Sequence, residues 1–177
     1  MEMSVGTIVT VVLLMAVLIL GIFLVQKIFR SAHGAIDLTN QQLQDQIVEI
    51  FGKSEAPIAI YPPSKYLDIS KGKIDAIGIG IKGPERGGTS QTYSYSIEAK
   101  GSDNERNCGV GNSELSSYIK QGSSETGLDV GPGDIVSRKV RFEIPEDAPL
   151  CLVRYVITVT SSGDAGSKTD YVDINIK

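Results

Sequence analysis

Hydrophobic residues divide the chain into three parts, of which the first is almost free of polar side chains. Residues 7–25 form an apolar run interrupted by two threonines and one glycine, and no charged residue occurs between Glu2 and Lys27. Such a run reaches about 28 Å as an α-helix, close to the roughly 30 Å of bilayer hydrocarbon. It predicts a long hydrophobic helix over residues 1–33, placed in a membrane or in a filament core. A cleaved signal peptide is the alternative, but its apolar core is shorter and follows a basic segment.

The second part, residues 34–53, has the pattern of an amphipathic helix. Thr39, followed three residues later by Gln42, has the form of a capping box, in which each side chain bonds a backbone N–H of the first turn. Two interpretations remain open: a short helix that lies on the following domain, or an extension of the first helix that packs against other copies of the chain. The residues at the spacing of one helical face are Leu43, Ile47, Ile50 and Phe51.

The third part, residues 54–177, alternates apolar and polar residues with the period of two that β-strands show. About seven short strands separated by turn-rich segments are typical of an antiparallel sandwich. The predicted fold class is therefore a long N-terminal hydrophobic α-helix followed by an all-β, Ig-like antiparallel sandwich of about seven strands. The predicted strands are PIAIY, YLDIS, KIDAIGIGIK, TYSYSIEAK, KVRFEI, CLVRYVITVT and YVDINIK.

The segment at residues 101–135 interrupts the predicted strands with a helical pattern. Ser113 is placed to cap a short helix there, whose small apolar face is formed by Leu115, Tyr118 and Ile119. We expect this helix to lie in a long loop of the sandwich.

The two cysteines, Cys108 and Cys151, are 43 residues apart. This separation is too wide for a C-x-x-C metal or redox pair, and with His33 as the single histidine a metal site lacks nitrogen ligands. An even cysteine count in an anchored domain fits an oxidising exterior and favours a disulfide, worth about 4 kcal/mol by the loop-entropy estimate. Two free thiols in a reducing compartment are the alternative.

The charge balance of the polar part excludes one class of partner. The chain has 17 basic and 21 acidic residues, and Lys27, Arg30 and Glu2 precede His33, so 15 basic and 20 acidic residues follow it. Nucleic-acid binding relies on basic patches that neutralise phosphates, which an acidic domain does not supply. We therefore predict no nucleic acid among the partners.

Motifs that point to a cofactor or to catalysis fail the test of their context. Residues 78–83, GIGIKG, match G-x-G-x-x-G, but the glycines alternate with isoleucine inside a strand instead of opening a helix. Small residues on a sheet face close to a covering element explain them better. Neither GDIVSR nor SGDAGSKTD has the regularly spaced ligands of an EF-hand, although a weak calcium loop is an alternative, and no nucleophile lies near His33. We predict no enzyme, no cofactor and no metal site.

The layout as a whole resembles archaeal surface-filament subunits, the archaellins and type IV pilin-like proteins. The resemblance rests on the nearly charge-free start MEMSVGTIVTVVLLMAVLILGIFLV and on the late strands IPEDAPLCLVRYVITV, which also resemble Ig-like modules of prokaryotic surface proteins. It implies hydrophobic helices packed in a filament core and an exposed sandwich. Glu2 is not at the fifth position, where bacterial pilins carry their glutamate, so that role is not transferred to it.

The predicted function is a structural subunit of a cell-surface filament, and the alternative is a single-pass membrane-anchored extracellular Ig-like binding or adhesion domain that uses residues 101–135. Predicted partners are a membrane and other copies of the chain. The β-sandwich head is expected outside the cell, membrane-anchored or in a filament, whereas the positive-inside rule applied to Lys27 and Arg30 would place it in the cytoplasm.

The predicted domains are residues 1–33, 34–53 and 54–177. The predicted helix-packing residues are Val5, Val9, Val12, Leu13, Ala16, Leu20, Phe23, Leu24, Leu43, Ile47, Ile50 and Phe51.

Overall fold

The structure is a computed structural model that describes most of the chain in two compact units, Met1–His33 and Gly34–Lys177. In the helix of unit 1, solvent exposure is described for Gly6 and for Val9–Ile22. The described residues are 5–30, 38–84, 88–100, 108–163 and 166–177.

Unit 1 holds helix α1, Val5–Arg30, which is built mainly from aliphatic residues. The Thr10 hydroxyl inside this helix donates a hydrogen bond of 2.9 Å to the carbonyl oxygen of Gly6, so the polar group is satisfied within the helix. Across the described residues, no helix combines the length and the hydropathy of a membrane span. The predicted transmembrane helix was therefore wrong.

Helix α2, Asn40–Gly52, opens unit 2 and begins as the sequence predicts. The Gln42 N–H donates to Thr39 Oγ1 at 3.2 Å, and the Thr39 N–H donates to Gln42 Oε1 at 2.9 Å. Both bonds of the capping box are thus confirmed. The helix ends where the Lys53 N–H bonds the carbonyl oxygen of Ile50 at 3.1 Å.

Nine strands in the described residues form two sheets that pack face to face. Sheet 1 has the strand order β1-β3-β7-β5, and sheet 2 has the order β2-β9-β8-β4-β6. The strands are β1 Ile58–Tyr61, β2 Tyr66–Ile69, β3 Ile74–Lys82, β4 Gln91–Ala99, β5 Ile119–Gln121, β6 Ser124–Val130, β7 Ile135–Glu143, β8 Leu152–Ser161 and β9 Ser167–Ile176.

The main core lies between the two sheets and follows the period-two pattern. On β8, Val153, Tyr155 and Ile157 are fully buried, while the intervening Arg154 is exposed. The Phe142 ring from sheet 1 meets the Tyr155 ring edge to face, with 5.0 Å between centroids. The inward positions predicted from the alternation on β3, β4, β7, β8 and β9 are buried in this core.

The predicted fold class was wrong in the number and the pairing of the strands. β2 runs parallel to β9, with Tyr66 opposite Asp173 and Ile69 opposite Ile176, so the sandwich is not purely antiparallel. β5 and β6 lie in a segment predicted to hold a helix and a loop. They escaped prediction because β5 is three residues long and β6, SETGLDV, turns only Leu128 and Val130 into the core. Too few apolar residues alternate there to mark a strand.

A charged pair joins the two sheets beside β5 and β6, which are edge strands. The Arg138 Nε of β7 donates to Glu125 Oε2 of β6 at 2.6 Å, and the Arg138 Nη2 donates to Glu125 Oε1 at 3.1 Å. The Nη1 of the same guanidinium donates to the carbonyl oxygen of Ser137 at 3.0 Å. A charged group turned toward a sheet edge in this way hinders the addition of further strands.

Helix α3, Asn112–Ser116, is linked to sheet 2 by a hydrogen bond, and a disulfide just before the helix joins the same segment to the residue that precedes β8. Cys108 and Cys151 form a disulfide with a Cα–Cα distance of 5.2 Å. The Tyr155 hydroxyl donates to the carbonyl oxygen of Leu115 at 2.8 Å, and burial raises the pKa of this hydroxyl. The helix begins after Gly111 rather than at the predicted cap Ser113. Of the three residues predicted for its apolar face, Leu115 lies in the helix, whereas Tyr118 and Ile119 follow its end, and all three are buried.

Candidate self-association surface

The surface of α1 is apolar and exposed along the whole of its described stretch. From Val9 to Ile22 every side chain is exposed, and the large ones keep from 48% to 69% of their area in contact with solvent. This stretch is about 21 Å long at the rise of an α-helix. Water-exposed aliphatic surface of this extent is rare on monomeric proteins and marks an interaction site.

The exposed residues are not confined to one face of α1. The predicted packing positions Val12, Leu13 and Leu20 are 58% to 68% exposed, and Leu14, Leu18 and Ile19, which were not assigned to the packing face, are 63% to 69% exposed. A helix that is apolar all round needs neighbours on several sides to be buried. One docking partner on one face would leave most of this surface in water.

Helix α2 carries the other group of predicted packing residues, and these are already buried within unit 2. Leu43, Ile47 and Phe51 are 2%, 0% and 7% exposed and form a second core with Ala59 and Ala76 on the outer face of sheet 1. The first interpretation of this segment, a short helix that lies on the domain, is the one that the structure bears out. This stripe is therefore closed to other copies of the chain.

Two glycines of β3 create the space that α2 occupies. A Cβ atom built on Gly78 would overlap Leu43 Cδ1, and one built on Gly80 would overlap Ile47 Cγ2 and lie 2.8 Å from Phe51 Cε2. The alternating isoleucines of the same strand face the main core. The G-x-G pattern thus has a packing role, since it lets a helix approach the sheet closely.

The predicted packing residues therefore separate into three groups. Val9, Val12, Leu13, Ala16 and Leu20 lie on the exposed surface of α1. Leu43, Ile47 and Phe51 of α2 pack against sheet 1, and Ile50 is partly buried against the same cluster. The side chains of Val5, Phe23 and Leu24 lie outside the described residues, as does His33.

A polar cleft lies beside α2. It encloses about 400 Å³ and is lined in part by Gln44, Arg138 and Lys139. Its cations are engaged, because Arg138 binds Glu125 and the Lys139 Nζ donates to the carbonyl oxygen of Leu38 at 2.6 Å. No group of His, Cys, Asp and Glu side chains suited to a metal ion occurs in the described part of the chain.

The sequence analysis assigned no functional role to a set of exposed residues on the outer face of sheet 2. Tyr66 of β2, Leu152 of β8 and Tyr171 of β9 are 44%, 44% and 42% exposed. Each occupies an outward position of an alternating strand, where the pattern predicts polar residues. That departure from alternation is the signal that identifies them.

Comparisons with known proteins do not assign a family. No family model matches the chain, and no curated protein matches it. A family 123 glycoside hydrolase from Clostridium perfringens, studied for glycolipid glycan hydrolysis, is similar over 63% of this chain and 23% of its own, with 12% identity and a TM-score of 0.39. The alkylpurine DNA glycosylase AlkC from Pseudomonas fluorescens, bound to DNA with an abasic site analog, is similar over 68% and 31%, with 12% identity and a TM-score of 0.32.

The predicted resemblance to archaellins and type IV pilin-like proteins was wrong. The described residues hold no candidate membrane span, and the two-sheet fold has nine strands there, including a parallel edge strand. The chain spans about a quarter of the length of the hydrolase and about a third of the length of the glycosylase.

Proposed function

We propose that the chain is a structural subunit that assembles with copies of itself through α1 and leaves the β-sandwich on the outside of the assembly. The observation that carries the proposal is the apolar surface of α1, which is exposed on all sides over Val9–Ile22. Because several neighbours are needed to cover such a helix, a core of many packed helices, as in a filament, suits it better than a dimer.

The energy available from burial of this surface is of the same order as the free-energy cost of assembly. Eleven large hydrophobic residues are exposed among the described side chains of α1. Complete burial of one such side chain is worth about 1.5–3 kcal/mol, so burial of the remaining exposed halves is worth on the order of 10 kcal/mol. This is comparable with the estimated cost of association.

The disulfide supports an extracellular location for the sandwich. Cystines persist in oxidising compartments and are rare in the cytosol. We therefore expect Cys108 and Cys151 to be oxidised in protein taken from its native source. Alkylation of the denatured protein with and without prior reduction, followed by mass measurement, tests this expectation. Free thiols in the unreduced sample would contradict it.

Assembly of the full chain in detergent-free buffer tests the function itself. We expect ordered particles with a regular repeat in electron micrographs, and we expect Leu18→Lys to abolish them, because a charge would enter the apolar core. Val48→Lys is the matched control, since Val48 of α2 is a 45% exposed aliphatic residue outside α1. A wild-type chain that stays monomeric, or that only binds lipid vesicles without self-association, would overturn the proposal.

A further inference from the structure

The outer face of sheet 2 carries exposed aromatic and aliphatic side chains on three neighbouring strands. Tyr66, Tyr171 and Leu152 lie on β2, β9 and β8, which are adjacent in the order β2-β9-β8. In the register of these strands, Asp173 lies between Tyr66 and Arg154. We call this region, centred on Asp173, the tyrosine face.

The centre of the tyrosine face is held in place before any partner arrives. Arg154 Cζ lies 4.1 Å from the centroid of the Tyr171 ring. The Arg154 Nε and Nη2 donate to the two carboxylate oxygens of Asp173 at 2.7 and 2.8 Å. Such a two-point pair fixes the guanidinium against the ring. A surface fixed in this way loses little side-chain entropy on binding, and tyrosine and arginine are frequent anchors of protein interfaces.

Tyr66 is oriented by a second polar cluster at the edge of the same face. Its hydroxyl donates to Asp68 Oδ1 at 3.3 Å, and Asp68 also accepts from Asn175 Nδ2 at 2.8 Å and from Lys177 Nζ at 3.0 Å. The hydrogen bond from Asn175 and the nearby ammonium of Lys177 keep the pKa of Asp68 below its usual value. The carboxylate is therefore charged, and its charge is compensated locally.

The tyrosine face is electrically neutral, although unit 2 is acidic. Each carboxylate on it has a basic partner within 3.0 Å, and the excess of 20 acidic over 15 basic residues in unit 2 lies elsewhere. Two acidic sandwiches that approach each other repel, and they repel least where their charges cancel within the surface. The pairs on the face are Arg154 with Asp173 and Lys177 with Asp68, and the Lys65 ammonium, which binds Asp170, lies 5.7 Å from the centroid of the Tyr171 ring beside it.

We propose that the tyrosine face docks onto the sandwich of a second copy of this chain and fixes the spacing of the heads in the assembly. The inference rests on the proposed function, because α1 brings the copies together and the tyrosine face then sets how the heads meet. A highly charged partner such as nucleic acid would gain little here, since the basic groups already bind carboxylates. The occupant that suits a neutral, rigid patch on an acidic domain is another copy of that domain.

Leu152→Glu in the full chain tests the inference, with Val48→Glu as the matched control. The two residues are 44% and 45% exposed, so both variants place the same charge on an equally accessible aliphatic position. We expect Leu152→Glu to raise the concentration needed for assembly at least about tenfold, because an unpaired charge on each copy is placed in the contact. The same change at Val48 should leave that concentration within about twofold.

The outcomes separate this inference from the proposed function. Equal assembly of the two glutamate variants would overturn the tyrosine face as a contact and would leave the role of α1 intact if Leu18→Lys still abolishes assembly. Failure of Leu18→Lys to affect assembly would overturn the proposed function instead. Thermal unfolding shows whether the Leu152→Glu variant is folded. If it is not, Tyr66→Ser is the second variant, and we expect it to weaken assembly as well.

Discussion

Helices α1 and α2 follow one another in the chain and both carry hydrophobic surfaces, but one of these surfaces is exposed and the other is buried. The side chains of α1 from Val9 to Ile22 are all exposed, whereas Leu43, Ile47 and Phe51 of α2 are buried on sheet 1. The difference lies in what each helix meets. β3 presents glycines to α2, and the amphipathic pattern of α2 offers a single face to be covered. In α1 the apolar residues surround the helix, so several neighbouring helices are needed to bury them.

Reduction of the cystine should produce the largest change, and it should affect the sandwich alone. Because the disulfide closes a 43-residue separation within unit 2, its loss is expected to lower the free energy of unfolding by about 4 kcal/mol. Urea unfolding followed by tyrosine fluorescence, with and without reductant, measures the effect. The double variant Cys108→Ala/Cys151→Ala should not respond to reductant. An unchanged urea midpoint in the wild-type chain would contradict the prediction.

Ile47→Ala and Ile19→Ala compare the two helices directly. Ile47 is fully buried and Ile19 is 64% exposed. The buried change should lower the stability of the sandwich by about 3 kcal/mol, since it removes three methyl or methylene groups from a packed site. Ile19→Ala should leave the urea midpoint nearly unchanged and weaken assembly instead. Equal loss of sandwich stability in both variants would show that α1 contributes to the fold of unit 2.

Gly80→Ala tests the close approach of α2 to sheet 1. The new methyl group would meet Ile47 and Phe51, and we expect a loss of about 2 kcal/mol from overpacking. Gly52→Ala is the control, because nothing lies within 4 Å of a Cβ atom at that position. Thermal unfolding of both variants is the measurement. A Gly80 variant as stable as the Gly52 variant would mean that α2 does not need the glycine.

Thr39→Ala should have the smallest effect, confined to the start of α2. It removes the acceptor of the Gln42 N–H, and the loss of a helix cap costs about 1 kcal/mol. Thr39→Ser keeps the hydroxyl and should retain most of the stability. Urea titration of the two variants beside the wild type gives the difference. If serine and alanine are equally destabilising, the methyl group of Thr39 matters rather than its hydroxyl.

Local patterns predicted the elements whose physical cause lies within a few residues. The capping box of Thr39 and Gln42 was correct because both partners lie in one turn. The inward faces of the long strands were correct because burial on one side of a sheet forces a period of two. β5 and β6 were missed because their own sequences have too few alternating apolar residues. They form strands through backbone pairing with β7 and β4, respectively.

The candidate surfaces were predicted less completely, because they depend on contacts between residues that are distant in the chain. The apolar run that forms α1 stood out in the sequence, but its use as a membrane span was wrong. The stripe of α2 left two interpretations open, since a helical face by itself does not say what covers it. Tyr66, Leu152 and Tyr171 are far apart in sequence and became one surface when β2, β9 and β8 paired side by side.

By itself the sequence determined that an apolar helix precedes a domain of alternating strands, that α2 begins at Thr39, and that two cysteines were available to pair. Short-range spacing carries this information, because hydrogen bonding within a turn and the two faces of a strand depend on near neighbours. The tertiary structure alone decided that Gly78 and Gly80 receive α2, that β2 joins β9 in parallel, and that Arg154 stacks on Tyr171 beside Asp173. Those contacts join residues distant in the chain, and they exist only once the strands have found their register.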